Sequence, residues 1–260
     1  MTQVLIQPIF QQFDKYKRFA QEHELGFELL DFALSMNLDD DIEYAKRVKF
    51  YKQVKGVKIC SMHGVFNDMR LSSTDKKIRT VVQNRLEKCC QIADDLEIDR
   101  VVFHTNYIPQ ISHSRYYELW QQRNAEFFAE MIAHYDLEIL LENVFDFTPR
   151  VLNNLMTSVD SDKLNVCFDL GHFNIHSRVS LQTWFETLGN NIKYLHINDN
   201  MGVQDTHSII GNGEINWQEF DRCIEKYNSS PMTVLEVDIG NLKSIKKSIN
   251  YLKKYGIYPY

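Results

Sequence analysis

Short apolar runs alternate with longer amphipathic segments along the whole chain. The short runs have the composition typical of buried strands. The longer segments repeat their apolar residues every three or four positions, as a helix with one buried face does. One such stripe comprises Leu86, Cys89, Cys90, Ala93 and Leu96. The alternation predicts parallel strands joined by crossover helices.

Eight strand and helix pairs follow one another in this way. The predicted strands are Val4–Phe10, Phe27–Ala33, Lys58–Val65, Arg100–Asn106, Glu138–Val144, Asn165–Leu170, Ile192–Asn198 and Met232–Val237. The predicted helices are Phe13–His23, Asp41–Gln53, Asp75–Leu96, Arg115–Tyr135, Thr148–Val159, Leu181–Leu188, Trp217–Tyr227 and Leu242–Tyr255. Eight units in 260 residues favour a closed (β/α)8 barrel, the TIM barrel, as the α/β fold class. A doubly wound open sheet usually has a glycine-rich turn after its first strand, which this sequence lacks.

Composition limits the domain organisation and the location of the protein. No linker, repeat or low-complexity tract divides the chain, so we predict one domain over residues 1–260. No apolar stretch is long enough for a transmembrane helix, and the first residues do not form a secretory signal. The five cysteines form an odd set without a CxxC motif, which predicts a reduced, cytoplasmic protein. The net charge of -6 argues against nucleic-acid binding by bulk electrostatics.

Ionisable residues stand at the C-terminal ends of six of the eight predicted strands. From the third strand onward they are His63, His104, Glu142, Asp169, His196 and Glu236. In a barrel these strand ends surround one mouth, where a buried charge usually needs a partner or a cation. On the second strand, Glu28 or Asp31 is also expected to point toward the mouth. Because carboxylate and imidazole groups bind Zn, Mn, Co or Fe, the pattern predicts a metal site at the C-terminal mouth.

Two segments beside the sixth and seventh strands add candidate ligands. The first reads DLGH, and we expect Gly171 to adopt a positive φ that turns Asp169 and His172 toward one centre. The second is a loop after the seventh strand, in which Asp205 and His207 form a compact pair of ligands. His176 and Asp199 lie nearby and are of the same residue types. We interpret His176 as a loop or helix-start residue.

Together these residues resemble a known group of proteins. The motifs that carry the resemblance are LLEN at 140–143, DxGH at 169–172, HxNDN at 196–200, DxH at 205–207 and GxGEINW at 211–217. They are similar to motifs of the xylose-isomerase-like TIM-barrel superfamily. This superfamily contains sugar isomerases and epimerases as well as abasic-site nucleases of the endonuclease IV type. The resemblance covers nearly the whole chain.

For the isomerase and epimerase branch, the resemblance implies one divalent cation, which would be Mn, Mg, Co or Zn. It would be bound by Glu142, Asp169, His196 and Glu236. The resemblance also implies that Glu142 and Glu236 move the proton while the cation polarises the adjoining carbonyl. Such chemistry needs a base within hydrogen-bonding reach and an electrophile for the developing negative oxygen. His172 would then bind a substrate hydroxyl.

For the nuclease branch, the resemblance implies three zinc ions bound by nine residues. Their matches in this sequence are His63, His104, Glu142, Asp169, His172, His196, Asp205, His207 and Glu236. Such a cluster would make the protein an endonuclease or another phosphodiesterase. The loops that would grip DNA contain few cations apart from Arg70 and Arg115. Against the epimerase branch, residues 198–203 lack the arginine with which some epimerases bind substrate.

We therefore predict a metal-dependent isomerase or epimerase that acts on a small sugar, sugar phosphate or polyol. The endonuclease is the alternative, and a catalytically silent binding barrel is a third hypothesis. The residues expected to contact the substrate are His63, His104, His172, Asn143, Phe66 and Tyr107. DNA is a partner only in the alternative, and no membrane partner is expected. Association into a homo-oligomer stays open.

Overall fold

The computed structural model describes residues 3–227 and 230–260. Its eight strands are parallel and pair in chain order, and β1 (Val4–Ile6) also pairs with β8 (Met232–Leu235). The sheet is therefore closed, and the predicted barrel is confirmed. The other strands are β2 Gly26–Leu29, β3 Ile59–His63, β4 Arg100–His104, β5 Glu138–Glu142, β6 Leu164–Asp169 and β7 Ile192–Ile197.

Ten α-helices lie in these described ranges of the chain. They are α1 Phe13–His23, α2 Ser35–Asp39, α3 Asp41–Tyr51, α4 Lys76–Asp95, α5 Ser114–His134, α6 Arg150–Val159, α7 Leu170–His176, α8 Leu181–Leu188, α9 Trp217–Lys226 and α10 Leu242–Tyr255. The eight predicted helices are present with small shifts at their ends. The short helices α2 and α7 are additional. None of the helices in the described residues combines the length and apolar composition needed to cross a bilayer.

The hydrophobic core has two layers, one on each face of the sheet. The larger layer packs between the strands and the helices and buries Trp120, Trp184 and Trp217. The smaller layer fills the inside of the barrel. It consists of Leu5, Cys60, Val102, Leu140, Cys167, Tyr194 and Val234. Because this inner layer closes the barrel, polar side chains above it are confined to the C-terminal mouth.

The strands are shorter than the apolar runs that predict them. β1 ends at Ile6 rather than Phe10, since Pro8 has no N–H group with which to continue the ladder. β2 ends at Leu29, and the chain then forms a short 3-10 helix at Asp31–Ala33. Ile9 and Phe10 of the first run and Leu30 of the second lie beyond the strand ends and contribute to the wall of the pocket at the mouth of the barrel.

Candidate metal centre

The candidate ligands form the layer of side chains directly above the inner core. Side chains on a strand alternate between its two faces, so residues two positions apart point to the same side. Five strands carry an inner-core residue followed two positions later by an ionisable one. The pairs are Val102 and His104, Leu140 and Glu142, Cys167 and Asp169, Tyr194 and His196, and Val234 and Glu236. The strand period therefore places these ionisable groups inside the mouth.

Glu142 is the centre of this layer. Four imidazole nitrogens surround its carboxylate: His172 Nδ1 at 3.1 Å, His63 Nε2 at 3.2 Å, His104 Nε2 at 3.4 Å and His196 Nδ1 at 3.4 Å. The Glu142 side chain is 1% exposed. One buried carboxylate thus connects imidazoles from β3, β4, β7 and the start of α7.

A second cluster lies beside it and contains Asp169, His196 and Glu236. His196 Nδ1 is 3.3 Å from a carboxylate oxygen of Glu236, and the ligand atoms of the three residues lie within 4.8 Å of one another. Among the described residues, Asp169 Oδ2 and His196 Nδ1 are buried without a well-aligned hydrogen bond. Buried polar atoms in native proteins nearly always have a partner. Two carboxylates and one imidazole that converge, with one buried atom of Asp169 and one of His196 unpaired, fit a divalent cation.

The loop after β7 adds a third cluster at the rim. Asp205 Oδ2 lies 3.3 Å from His172 Nε2 and 2.9 Å from His207 Nε2. His207 Nδ1 is 2.8 Å from the backbone oxygen of Glu236, which orients its ring toward Asp205. The structure therefore brings together all nine residues that match the nuclease ligands. The third cluster is the most open, because the side chains of Asp205 and His207 are 33% and 25% exposed.

The two glutamates are held in their ionised form. Burial opposes the charge on Glu142, but His104 and His196 outweigh it and hold the pKa of Glu142 well below its ordinary value. Burial of Glu236 is likewise outweighed by His196 and His207, which lower its pKa to about 2. Both side chains are therefore carboxylates at neutral pH.

Asp169 and His172 have pKa values displaced upward. Burial raises the pKa of Asp169 to about 7, because His172 offsets only part of the desolvation and nearby Glu142 and Glu236 add to it. Burial lowers the pKa of His172, but Asp169 and Asp205 outweigh this effect and raise it well above its ordinary value. A cation bound here would compete with protons for these groups.

Glu28 belongs to the site, although the strand-end pattern did not assign it as a ligand. It lies inside the barrel and is fully buried, and its Oε1 is 3.2 Å from His196 Nε2. Asp31, the other candidate on the second predicted strand, lies farther out and lines the mouth. An acidic residue inside an apolar strand was the signal available for Glu28, but no motif accompanies it.

A pocket of ≈ 280 Å³ opens above the clusters. Its floor is formed by candidate ligands that include Glu142, His172 and Glu236. Its apolar wall comprises Ile9, Phe10, Leu30, Leu34, Phe66 and Ile239. Of the described residues that line this pocket, none is a lysine or an arginine. The pocket is therefore suited to a small molecule without a strongly anionic group.

Four of the predicted substrate-contact residues line this pocket, namely His63, His104, His172 and Phe66. Asn143 and Tyr107 lie elsewhere. Asn143 follows Glu142 directly, so its side chain points away from the pocket and exchanges two hydrogen bonds of 2.9 Å with the backbone of Asp169. The Tyr107 ring stacks on Tyr116 and packs against Trp120. These two residues support neighbouring elements instead of forming the wall.

The sequence model of the xylose isomerase-like TIM barrel family matches residues 19–255. The chain belongs to this family. Uncharacterized protein MJ1311 of Methanocaldococcus jannaschii is 27% identical over 204 residues, which cover 75% of this chain and 69% of that protein. The TTHB071 protein of Thermus thermophilus, from crystals soaked with ZnCl2, has a TM-score of 0.77 and 24% identity over 97% of each chain. A D-tagatose 3-epimerase-like protein has a TM-score of 0.77 and 22% identity, over 98% of this chain and 97% of that one.

Other solved structures that share the fold include D-psicose 3-epimerase, L-ribulose 3-epimerase and an IolI protein with a zinc atom. Their TM-scores lie between 0.71 and 0.75, and their identities are 14% to 15%. At this identity the likeness shows the fold alone. Proteins with the xylose isomerase-like fold of this chain thus include sugar epimerases and a zinc-bound structure.

In this xylose isomerase-like barrel, a helix rather than a turn brings Asp169 and His172 together. Asp169 is the N-cap of α7, and its Oδ1 accepts a hydrogen bond of 2.5 Å from the His172 N–H group. The predicted positive φ at Gly171 is wrong, because this residue lies within the helix. Glycine is required for another reason, since a Cβ atom there would lie 2.3 Å from Asn198 Oδ1.

Asp199 anchors the loop after β7 and has no ligand role in this arrangement. Its Oδ1 accepts hydrogen bonds from the N–H groups of Asn200 at 3.0 Å and Ile215 at 3.3 Å. Its Oδ2 accepts from the N–H group of Gly211 at 2.8 Å and from Trp217 Nε1 at 3.0 Å. Four donors satisfy this buried carboxylate, so it needs no cation. Asp199 instead holds the loop that carries the third cluster.

Proposed function

We propose that the protein is a divalent-metal-dependent isomerase or epimerase of a small sugar or polyol. The observation that carries the proposal is the convergence of Glu142, Asp169, His196 and Glu236 at one mouth, with buried ligand atoms of Asp169 and His196 unpaired. The presence of sugar epimerases among the similar structures supports the same kind of reaction. The four residues would hold the cation, and it would polarise a substrate carbonyl and the hydroxyl beside it.

The residues of this chain supply the proton transfer. Glu142 and Glu236 line the floor of the pocket, both contact Nδ1 of His196, and both are ionised at neutral pH. One would take the proton from the carbon next to the carbonyl and later release it to solvent. The other, after taking up a proton from solvent, would return it to the opposite face or to the adjoining carbon. Gln7 Nε2 donates a hydrogen bond of 3.0 Å to Glu236 Oε1, which fixes that carboxylate during the transfer.

The pocket favours an uncharged substrate over a sugar phosphate. A phosphate group carries nearly two negative charges and is usually bound by arginine, lysine or free backbone N–H groups. Asp31, Asp205 and the two glutamates line the pocket, and its described lining includes no lysine or arginine. Repulsion from these carboxylates would oppose phosphate binding. We therefore propose a neutral ketose or polyol derivative as the substrate.

Solvent deuterium exchange tests this reaction. The protein, loaded in turn with Mn, Co and Zn, would be incubated with a panel of ketoses in heavy water and followed by NMR. We expect deuterium at the carbon next to the carbonyl with at least one ketose, and none with the Glu236→Gln variant. Absence of exchange with every ketose and cyclitol tested would refute the proposal.

A second candidate function is a phosphodiesterase that acts on abasic DNA. It is favoured by one observation, the third cluster of His172, Asp205 and His207 beside the other two. Elemental analysis of the zinc-saturated protein separates the two functions, because about three ions per chain support the phosphodiesterase and one supports the isomerase. Cleavage of an abasic-site oligonucleotide without deuterium exchange into any ketose would establish this second function instead.

A further inference from the structure

We propose that Glu28 is a positioning residue that holds the His196 imidazole with Nδ1 directed at the metal ligands. The inference rests on the proposed metal centre and adds a residue outside the predicted ligand set. Glu28 lies on β2, which contributes none of the nine predicted ligands. Its carboxylate approaches His196 from the side opposite to Glu142 and Glu236, since it contacts Nε2 whereas they contact Nδ1.

The surroundings of Glu28 consist of hydrogen-bond donors. Its Oε1 accepts from Gln7 Nε2 at 2.9 Å and lies 3.2 Å from His196 Nε2. Its Oε2 accepts from the hydroxyl groups of Tyr194 at 2.9 Å and Ser61 at 3.3 Å. Glu28, Ser61 and His196 are completely buried, and so is the Tyr194 ring. A carboxylate offers two acceptor oxygens to these donors, which an amide or a methyl group in its place could not do.

This contact determines which nitrogen of His196 is free to bind a cation. A neutral imidazole carries its proton on one nitrogen, and the hydrogen bond made by the other side of the ring selects which one. An Nε2–H group that donates to Glu28 leaves the lone pair on Nδ1. That atom is the one placed between Glu142 and Glu236. Carboxylates that accept from the distal N–H group of a ligand histidine also make the imidazole a stronger donor to the metal.

Gln7 extends the effect of Glu28 to the eighth strand. The Nε2 atom of Gln7 donates to Glu28 at 2.9 Å and to Glu236 at 3.0 Å. Its two N–H bonds therefore connect the positioning carboxylate with a predicted ligand. Loss of the charge on Glu28 would disturb the orientation of His196 directly and that of Glu236 through Gln7.

Titration of Co2+ into the metal-free protein tests the proposal. Glu28→Leu removes both acceptor oxygens and is expected to weaken Co2+ binding roughly 10–100-fold, the range found for such supporting residues. Glu28→Gln keeps one acceptor for His196 and is expected to lose less affinity. The matched control is Tyr194→Phe, which removes another donor to Glu28 but leaves its contact with His196, so its affinity should stay near that of the wild type.

NMR of the zinc-loaded, 15N-histidine-labelled protein reports on the His196 hydrogen bond separately from overall stability. The Nε2–H proton of His196, assigned with His196→Gln, should exchange slowly in the wild type and in Tyr194→Phe. It should shift upfield in Glu28→Gln, because a neutral oxygen is a weaker acceptor, and should be lost by exchange in Glu28→Leu. If Glu28→Leu does not fold, Glu28→Gln decides the matter.

Wild-type Co2+ affinity together with an unshifted Nε2–H signal in Glu28→Gln would overturn the inference and leave the proposed function intact. A loss of affinity in Tyr194→Phe as large as in Glu28→Leu would also overturn it, because the network would then act only through stability. Failure of the wild-type chain to bind Co2+ or Zn2+ would overturn the inference and the proposed function together.

Discussion

Glu142 shows how one side chain can organise a whole site. Its carboxylate is within 3.4 Å of imidazoles from four different segments of the chain, and it is almost fully buried. A charge at this depth is tolerated only when groups of opposite charge or a cation surround it. The imidazoles keep it ionised in the metal-free protein, and this prepares the same oxygens for a cation.

Replacement of Glu142 by glutamine should therefore affect metal binding and stability together. We expect Glu142→Gln to bind no stoichiometric zinc, and to lower the free energy of unfolding of the metal-free protein by about 3 kcal/mol because four imidazoles lose their counter-charge. Elemental analysis and urea denaturation measure the two effects. Glu130→Gln, which changes an exposed carboxylate of α5, is the control. Full zinc content with unchanged stability in Glu142→Gln would contradict this interpretation.

The Asp205 and His207 pair should make the stability of the metal-free protein depend on pH. Burial lowers the pKa of His207, but the hydrogen bond to Asp205 and the charge of Glu236 outweigh it and raise the pKa from 6.5 to about 10. Because the folded value is the higher one, the stabilisation is complete below pH 6.5 and is lost as the pH rises through 10. Solvent screening limits it to about 1 kcal/mol at this partly exposed rim.

Urea denaturation of wild type and His207→Gln with EDTA at pH 6, 8 and 10 measures this contribution. We expect the wild type to be the more stable protein at pH 6 and the difference to shrink toward pH 10. A difference that stays constant across this range would show that Asp205 does not stabilise the protonated form of His207.

The convergence of most candidate ligands could be predicted because their position in the strand also fixes their direction. Glu142, Asp169 and His196 each follow an apolar run, and the period of two places them inside a barrel once the barrel is assumed. Glu28 could not be selected in the same way. It lies within the run FELLD, where Asp31 is an equally polar candidate. Only the closed barrel, in which β1 pairs with β8, shows that Glu28 contacts His196.

At the scale of the element, helix α7 explains the relative position of two candidate ligands. It begins at the end of β6, with Asp169 as its N-cap and His172 in its first turn. The sequence predicts a turn because seven residues containing a glycine are a weak helix signal. The close approach of Asn198, which requires Gly171, depends on packing against β7 and cannot be read from local sequence.

Gly171→Ala should destabilise the protein although alanine is the better helix former. Alanine would normally gain about 1 kcal/mol in a helix interior. Here its Cβ atom would lie 2.3 Å from Asn198 Oδ1. We expect a net loss of roughly 1–3 kcal/mol in the free energy of unfolding and weaker zinc binding, because α7 must move together with Asp169 and His172. Calorimetry and zinc titration measure both, with His176→Ala in the same helix as the control. Increased stability would contradict the steric argument.

The loop after β7 should open when its anchor is removed. Asp199→Ala would leave the N–H groups of Gly211 and Ile215 and the Trp217 indole without their acceptor. We expect hydrogen exchange at these two amides to accelerate by at least tenfold and the third cluster to lose affinity for zinc. Mass-spectrometric exchange on peptides from this loop measures the effect, with peptides from α5 as the internal reference. Equal exchange in both proteins would show that the loop is held by other contacts.

At the scale of the whole molecule, the ligand set connects consecutive strands of the barrel. Glu142, Asp169, His196 and Glu236 come from the ends of β5, β6, β7 and β8. The overall architecture could be predicted because the alternation of runs and helices repeats without interruption. The pocket wall could not be predicted from the sequence. Its apolar residues Ile9, Leu30 and Leu34 follow β1 and β2, and their positions depend on where these strands end.

A bound cation should therefore stabilise the entire fold. At a free zinc concentration of about 1,000 times the dissociation constant, linkage contributes roughly 4 kcal/mol. For a chain of this size that corresponds to an increase in Tm of roughly 8–16 °C. Scanning calorimetry with zinc and with EDTA measures the shift, and Glu142→Gln should show almost none. A wild-type Tm that does not respond to zinc would argue against binding to the folded state.

Closure of the barrel also sets the order in which the site can form during synthesis. Gln7 lies just after the first strand and donates to Glu236, which follows the last one. A ribosome releases the segments that carry His63 through His196 well before Glu236, so a nascent chain holds an incomplete set of ligands. Uptake of the proposed cation would consequently be a late step of biogenesis, because a chain stalled before residue 236 lacks Glu236.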